Sequence, residues 1–266
     1  MITAGCDVGS LTSKVVIMKG GRILSSIVIK SKARPWESAE NVMNEALDKA
    51  KLSMEDIHYC VGTGYGRDKI PFVNSALSEI ACHSKGARWL VPSAQTIIDI
   101  GGQDCKAMRL DENGNVEKFI TNDKCASGTG RFLEVMAEVM NLSLDELGKL
   151  SLTAQAPVNM ASTCTVWAQA DVIKYINEKV PVENIAAGVN NAMASRMAIL
   201  VNNVGAVGDI CMTGGVAKNA GVISSIEKLI GKTIKRIRKS DPQLAGAIGA
   251  ALLAAEKGDK ESGEKS

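Results

Sequence analysis

The first thirty residues alternate between apolar runs and short turns, and this pattern predicts three consecutive β-strands. The Gly20-Gly21 pair marks the tight turn between the second strand and the third. Apolar side chains then recur at helical spacing, before a short apolar strand and a further helical segment. The predicted elements are strands at 2–7, 14–18 and 23–29, a helix at 36–51, a strand at 57–61 and a helix at 74–87.

The opening pattern then repeats. Residues 96–100 and 106–110 are predicted strands, Asn113-Gly114 is a hairpin turn, and residues 116–120 form the third strand. The two copies agree in register, because Asp, Gly and Lys recur at the same displacement of 92 residues. The matched positions are Asp7 with Asp99, Gly9 with Gly101 and Lys14 with Lys106. Two βββα units predict an internal duplication with a nucleotide cleft between its halves.

The remaining sequence is mainly helical, with a strand at 209–212 that leads into Thr213-Gly214-Gly215 and another helix. The predicted helices are at 129–140, 165–178, 182–204 and 243–255. We therefore expect an α/β protein with two duplicated lobes. The first lobe comprises residues 1–93 with 243–255 packed back on it, the second lobe lies within 94–255, and the charged residues 256–266 form a disordered tail.

Composition excludes several classes of function. Apolar residues make up 45% of the chain and charged residues 23%, and the net charge is +2. This balance is typical of a globular protein and gives no electrostatic signal for nucleic acid or an anionic membrane. No apolar run approaches the ~20 residues that span a bilayer, and the N-terminus lacks the pattern of a signal peptide. We expect a cytoplasmic protein that binds neither nucleic acid nor membrane.

The repeated Asp-x-Gly turns are candidate phosphate loops. Glycine lets the backbone approach an anion closely, and successive N–H groups can surround its oxygens. Asp7 and Asp99 would face Mg²⁺, Lys14 would supply a cation, and the Gly214-Gly215 turn could approach a nucleoside. Ordinary hairpin turns are the alternative, which the matched repeat weakens. No G-x-x-x-x-G-K-[ST] motif is present, so a Walker-type NTPase is excluded.

Seven cysteines, an odd number at irregular spacing, argue against a disulfide framework. The chain contains no CxxC pair, which argues against a zinc or ferredoxin-type site within one chain. Cys125 and Cys164 each precede a predicted helix, whose positive end favours a thiolate. Spacing alone leaves cluster ligands, inert buried cysteines and a nucleophile as alternatives. Packing is expected for Cys6, Cys60, Cys82 and Cys211, and Cys105 is left without a role. His58 and His83 each lack a partner at metal-ligand spacing and are not expected to bind a metal.

Three segments resemble the phosphate-1, phosphate-2 and adenosine motifs of the acetate-kinase, sugar-kinase, actin and heat-shock-chaperone superfamily. These segments are residues 7–14, 99–104 and 214–219. Within that superfamily, residues 2–255 are similar to the activator ATPases of 2-hydroxyacyl-CoA dehydratases and the ATPase subunits of benzoyl-CoA reductases. The specific signatures are Gly64-Tyr65-Gly66-Arg67, residues 122–132 (Asn-Asp-Lys-Cys-Ala-Ser-Gly-Thr-Gly-Arg-Phe) and Ser162-Thr163-Cys164-Thr165-Val166.

The resemblance implies a one-electron activator driven by ATP and Mg²⁺. Ferredoxin or flavodoxin would reduce a [4Fe–4S] cluster bridging a homodimer through Cys125 and Cys164 of each subunit, and an iron–sulfur dehydratase or reductase would accept the electron. Asp7 and Asp99 would be catalytic. The expected nucleotide contacts are Ser10, Thr12, Ser13, Lys14, Gly101, Gly102, Gln103, Asp104, Gly128, Gly130, Gly214, Gly215, Lys218, Asn219 and Gln243.

Two features leave alternatives open. After Cys164 the family pattern has Phe followed by Ala-Glu-Ser-Glu, whereas this chain has Trp167-Ala168-Gln169-Ala170-Asp171, which puts the identity of the partner in doubt. The rival functions are a small-molecule kinase of the sugar-kinase type, which needs no cluster, and a non-catalytic ATP-binding scaffold.

Overall fold

The computed structural model describes residues 1–122, 125–160 and 164–263. Its strands are β1 (Ile2–Val8), β2 (Thr12–Lys19), β3 (Arg22–Lys30), β4 (Tyr59–Thr63), β5 (Ser75–Ala76), β6 (Ala94–Ile100), β7 (Cys105–Leu110), β8 (Val116–Asn122), β9 (Asp209–Thr213) and β10 (Ile234–Lys235). Its helices are α1 (Pro35–Ala50), α2 (Glu79–Leu90), α3 (Gly130–Val139), α4 (Leu144–Ser151), α5 (Thr165–Asn177), α6 (Val182–Val204), α7 (Ala220–Ile230) and α8 (Ala245–Gly263). The chain divides into two compact units. The first unit comprises Met1–Ser93, Glu112–Val116 and the chain from Ile237. The second unit comprises Ala94–Asp111 and Glu117–Arg236.

The first unit contains a five-stranded sheet in the order β3-β2-β1-β4-β5. Strand β1 is central, and it pairs antiparallel with β2 and parallel with β4. Its residues are buried on both faces, as its nearly continuous apolar sequence requires. The polar Asp7 near the end of this strand is therefore an exception to the pattern, and its position needs a functional or structural reason.

Two helices cover β1. Ala4, Cys6 and Val8 pack in one cluster with the apolar face of α1. On the other side, a Cβ atom at Gly5 would overlap the carbonyl oxygen of Ala247, so the glycine lets α8 lie directly against the strand. This contact holds α8 beside the strand that carries Asp7.

The second unit has the same plan, with its sheet in the order β10-β9-β6-β7-β8. The central strand β6 pairs antiparallel with β7 and parallel with β9, as β1 does with β2 and β4. Apolar side chains of α3, α6 and α7 pack against this sheet in one large core. The predicted α/β class with two duplicated lobes is confirmed.

Several boundaries differ from the sequence prediction. Helix α2 begins at Glu79 and not at residue 74, because the Ser78 hydroxyl caps it and the Leu77 N–H donates to the Gly62 carbonyl oxygen. Helix α4 was not predicted, although Ser143 and Glu146 form a capping box at its start. Helix α8 continues through Gly263, into the stretch where a disordered tail was expected. In the part of the chain that the structure describes, no helix has the length and apolar character to span a membrane.

Candidate nucleotide and cysteine sites

The phosphate loop of the first unit begins at Asp7, the next-to-last residue of β1. Asp7 is 3% exposed. It lies directly across from Lys14 on β2, whose Nζ is 3.2 Å from the Asp7 Oδ2. The turn between them is closed where the Gly9 N–H donates to the Thr12 carbonyl oxygen over 3.1 Å, and the half-buried Ser10 lies on this turn. The loop therefore presents a buried carboxylate paired with a lysine ammonium.

The second unit repeats this geometry. Asp99 is 2% exposed and lies across from Lys106 on β7, with the Lys106 Nζ 3.7 Å from the Asp99 Oδ2. The Gly101 N–H donates to the Asp104 carbonyl oxygen over 3.0 Å. Lys106 also forms an ion pair with the Asp104 carboxylate. The duplication therefore extends to strand register, ion pair and turn, and Lys106 belongs to the site although it was not among the predicted site residues.

A third strand adds a matching Thr-Gly pair to each loop. Asp7 is in register with Thr63, the last residue of β4, and Gly64 follows it. Asp99 is in register with Thr213, the last residue of β9, and Gly214 follows it. Both glycines have positive φ, 91° and 85°. A Cβ atom at Gly64 would lie 2.5 Å from the Asp7 Oδ1, and one at Gly214 would lie 3.1 Å from the Asp99 Oδ1. Glycine is therefore required at both positions for the backbone to pass close to the aspartate.

The correspondence between Gly64 and Gly214 was not predicted from sequence. Thr63-Gly64 and Thr213-Gly214 are not separated by the 92 residues that relate the Asp-x-Gly loops, because the second unit has α3 to α6 before β9 where the first unit has α1 before β4. A search for Thr-Gly after each buried strand could have found the pair.

Some predicted nucleotide contacts also have structural partners. The hydroxyl of the buried Ser13 shares a hydrogen bond with the Ser31 hydroxyl over 2.9 Å. Gly215 and the exposed Lys218 bound a single 3₁₀ turn, and the following Asn219 caps α7 by accepting from the Val222 N–H over 3.0 Å. Three further predicted nucleotide contacts are Gly102, Gln103 and Gln243. Gly102 and Gln103 lie in the bend before β7, and Gln243 lies in a 3₁₀ turn at Pro242–Leu244 of the first unit.

The cysteines fall into two groups by burial. Cys164 is exposed and is itself the N-cap residue of α5, while Cys125 is half-buried in the segment before α3. Ser162 and Thr163 of the family signature before α5 lie outside the described residues, as do Asp123 and Lys124 of the signature at 122–132. The other five are buried: Cys6, Cys60, Cys82, Cys105 and Cys211.

Burial disfavours the thiolate and raises the pKa of these five thiols. The pKa rises to about 12 for Cys60 and Cys211, to about 11 for Cys82 and Cys105, and well above the ordinary value for Cys6. Metal ligation requires a thiolate, so these five are poor ligands. Within the described residues, no three His, Cys, Asp or Glu side chains gather as they would around a metal ion.

The start of α3 contacts the second phosphate loop. The Gly130 N–H donates to the Gly101 carbonyl oxygen, and the Arg131 N–H donates to the Gly102 carbonyl oxygen, each over 2.8 Å. Gly128, a second predicted nucleotide contact, packs against the aliphatic stem of Arg196. The segment that carries Cys125 is therefore hydrogen-bonded to the loop that follows Asp99.

Comparison with known proteins identifies the family of the chain. The model of the BadF/BadG/BcrA/BcrD ATPase family matches residues 4–254. The chain belongs to this family. It is 44% identical to the activator of lactoyl-CoA dehydratase from Anaerotignum propionicum, over 98% of this chain and 100% of the relative. It is 39% identical to the (R)-2-hydroxyglutaryl-CoA dehydratase activating ATPase of Acidaminococcus fermentans, over 97% and 98% of the two chains.

A solved structure agrees with the sequence relatives. The activator of the 2-hydroxyisocaproyl-CoA dehydratase from Clostridium difficile, with bound ADPNP, superposes with a TM-score of 0.94 at 41% identity, covering 99% of this chain and 98% of that one. The family resemblance inferred from the motifs is therefore confirmed.

As a member of this ATPase family, the protein is an ATP-hydrolysing enzyme. The chemistry of the two loops suits this activity. Carboxylate oxygens are the ligands that Mg²⁺ prefers, and lysine is a common phosphate-binding cation. The residue-by-residue roles of Asp7, Asp99 and their neighbours remain predictions.

Proposed function

We propose that the protein is an ATP-dependent electron-transfer activator that works as a homodimer with one [4Fe–4S] cluster. Its partner would be an iron–sulfur dehydratase or reductase that acts on CoA esters, and its electron donor ferredoxin or flavodoxin. Relatives that match over nearly the full chain are named as activators of CoA-ester dehydratases. The departure at Trp167–Asp171 leaves the particular partner open.

The observation that carries the proposal is the contrast between the two groups of cysteines. Cys125 and Cys164 are accessible, and the other five are buried with raised pKa values. Cys164 is the N-cap residue of α5, where the helix dipole favours a cluster of net negative charge, and Cys125 lies five residues before the first residue of α3. A [4Fe–4S] cluster takes four thiolates, so two per chain fit only when a second copy supplies the other pair.

The exposed surface of α5 supports a second copy as the partner of this face. Val166 and Trp167 directly follow the Cys164 cap and are 70% and 67% exposed, and further along the helix Ile173 and Ile176 are also exposed. Several large apolar side chains exposed along one helix are typical of an interaction site. A two-fold axis near Cys164 would bury these side chains against their copies.

The chemistry would couple two balanced reactions. ATP and water would give ADP and phosphate, while the donor loses one electron and the partner enzyme gains one. A bound cluster would supply the one-electron carrier. Asp7 and Asp99 would orient Mg²⁺ and the attacking water at a single ATP, and Lys14 would offset the negative charge of its phosphates.

Iron analysis of anaerobically prepared protein tests this proposal. We expect about four irons per dimer, because one [4Fe–4S] cluster is shared by two chains. Cys125→Ser and Cys164→Ser should each abolish iron binding, since each removes two of the four thiolates. Cys82→Ser is the matched control and should retain full iron, because Cys82 is buried. Full iron in either ligand variant would refute the bridging arrangement.

A second measurement separates the activator from a sugar-type kinase. The reduced protein should support ATP-dependent turnover of a 2-hydroxyacyl-CoA dehydratase, and it should not phosphorylate N-acetylhexosamines. Iron-free protein with phosphoryl transfer to a sugar would favour the kinase.

A further inference from the structure

Asn122, the last residue of β8, contacts two other parts of the second unit through one amide nitrogen. Its Nδ2 donates to the carbonyl oxygen of Cys125 over 3.2 Å and to that of Ser127 over 3.1 Å. The same nitrogen lies 3.9 Å from the Sγ of Cys105. A side-chain amide has two N–H donors. In Asn122 they serve the two carbonyl oxygens of the Cys125 segment. Asn122 therefore fixes the start of residues 125–131.

The other end of this segment is also fixed. The Thr129 hydroxyl donates to the Ala126 carbonyl oxygen over 2.7 Å. The Gly130 and Arg131 N–H groups donate to the Gly101 and Gly102 carbonyl oxygens, as described above. Ser127 and Thr129 are buried, so these contacts are shielded from water and stronger than they would be on the surface.

Cys105 connects the two ends. It is the first residue of β7 and directly follows the Gly101–Asp104 turn, and its side chain is buried in the core of the second unit. Its sulfur lies 3.9 Å from the Asn122 Nδ2, and a Cβ atom at Gly128 would also lie 3.9 Å from it. The backbone of the phosphate loop, the buried Cys105 and the Cys125 segment are thus in direct contact within one unit.

We propose that Asn122 is the positioning residue for Cys125, holding that cysteine in a fixed relation to the phosphate loop at Gly101 and Gly102. The inference rests on the proposed function, in which Cys125 binds iron. It assigns roles that sequence patterns did not: Asn122 holds the ligand segment, and Cys105 is a buried contact of Asn122 and not a ligand.

The test uses the iron-free full-length protein and the rate of alkylation of each cysteine, mapped by mass spectrometry. Asn122→Asp keeps the side-chain shape but removes both N–H donors. Asn122→Leu also removes both donors at similar size, and it adds no charge. Each should speed alkylation of Cys125 about ten-fold or more, because the two hydrogen bonds that hold the segment closed are lost and each typically shifts an equilibrium several-fold. Cys164 should react at its original rate, because Asn122 does not hold it. Asn177→Asp, the same change at an exposed position on α5, is the matched control.

A non-hydrolysable ATP analogue sharpens the result. In the parent protein it should slow Cys125 alkylation about five-fold or more, since a typical coupling between sites is of that size. The Asn122 variants should lose this protection while still binding the analogue.

Two outcomes would overturn the inference. One is an unchanged rate at Cys125 in both Asn122 variants, and the other is an equal increase at Cys125 and Cys164, which indicates general loosening of the fold. Failure of the proposed function is distinguishable, because it would appear as absence of iron in the parent protein whatever the alkylation rates.

Discussion

The two units share the same arrangement of Asp, Lys and Thr-Gly, but they hold the aspartate differently. In the second unit the Thr213 hydroxyl donates to the Asp99 Oδ1 over 2.8 Å, while Lys106 reaches the other carboxylate oxygen. In the first unit the corresponding Thr63 hydroxyl donates to the Leu77 carbonyl oxygen instead. Side chains on both neighbouring strands therefore hold Asp99, whereas the threonine beside Asp7 is engaged elsewhere.

The turns also differ in charge. Where the first unit has Thr12, the second has Asp104, which pairs with Lys106. Two carboxylates share one lysine in the second unit, and one carboxylate pairs with one lysine in the first. The extra negative charge suits a divalent cation, and the hydroxyl-bearing turn suits phosphate oxygens. We infer that the duplicated loops have diverged, the second toward Mg²⁺ and the first toward phosphate.

The largest expected effect comes from neutralising either aspartate. Asp7→Asn and Asp99→Asn should each lower kcat for ATP hydrolysis by about 10²-fold, since each removes a carboxylate that would orient Mg²⁺ and the attacking water. Asp99→Asn should raise the Mg²⁺ concentration needed for half-maximal rate more than Asp7→Asn does. Phosphate release measured across a Mg²⁺ series checks both points. Parental rates in both variants would show that the loops do not act on the phosphates, and equal Mg²⁺ dependence would remove the proposed divergence.

Removing the lysines compares the stability of the two ion pairs. Lys106→Met should lower the free energy of unfolding by about 2–3 kcal/mol, because it leaves two carboxylates together in a mostly buried site. Lys14→Met should cost less, because only Asp7 loses its partner. Urea unfolding of both variants gives the comparison. In the double variant Lys106→Met with Asp104→Asn, about 1 kcal/mol should return, since the repulsion is removed.

The shared arrangement explains how much the sequence could predict. Asp7, Lys14 and their counterparts were recognisable because three residue types recur in one register, which fixes their strands and the turn between them. The correspondence of Gly64 with Gly214 was missed because more helices precede β9 than precede β4. The role of Asn122 was missed because its partners include backbone carbonyl oxygens, which leave no pattern in the side chains. Helix α4 was missed because it is short. Residue spacing also cannot show that Ser13 and Asn219 serve as internal hydrogen-bond partners.

The threonines offer a smaller and more selective test. Thr213→Val removes the hydrogen bond to Asp99 and should slow hydrolysis about ten-fold, the usual size for a hydrogen bond to a charged group. Thr63→Val removes a hydrogen bond to a backbone carbonyl and should cost about 1 kcal/mol of stability with little change in kcat. Steady-state rates and unfolding curves of both variants separate the effects. Equal loss of kcat in the two would mean that both threonines support catalysis alike.

Exchanging the turn residues should give the smallest effect. Asp104→Thr gives the second unit the turn residue of the first, and it should raise the Mg²⁺ concentration for half-maximal hydrolysis about three- to five-fold. This corresponds to about 1 kcal/mol for one charge a few ångströms away in a partly exposed site. Thr12→Asp is the reciprocal change and should instead raise KM for ATP, because it brings negative charge toward the phosphates. Potassium chloride should weaken both effects, since screening acts on exposed charges. If Asp104→Thr alters KM for ATP and not the Mg²⁺ requirement, the second loop faces phosphate as the first does, and the two units have not divided these roles.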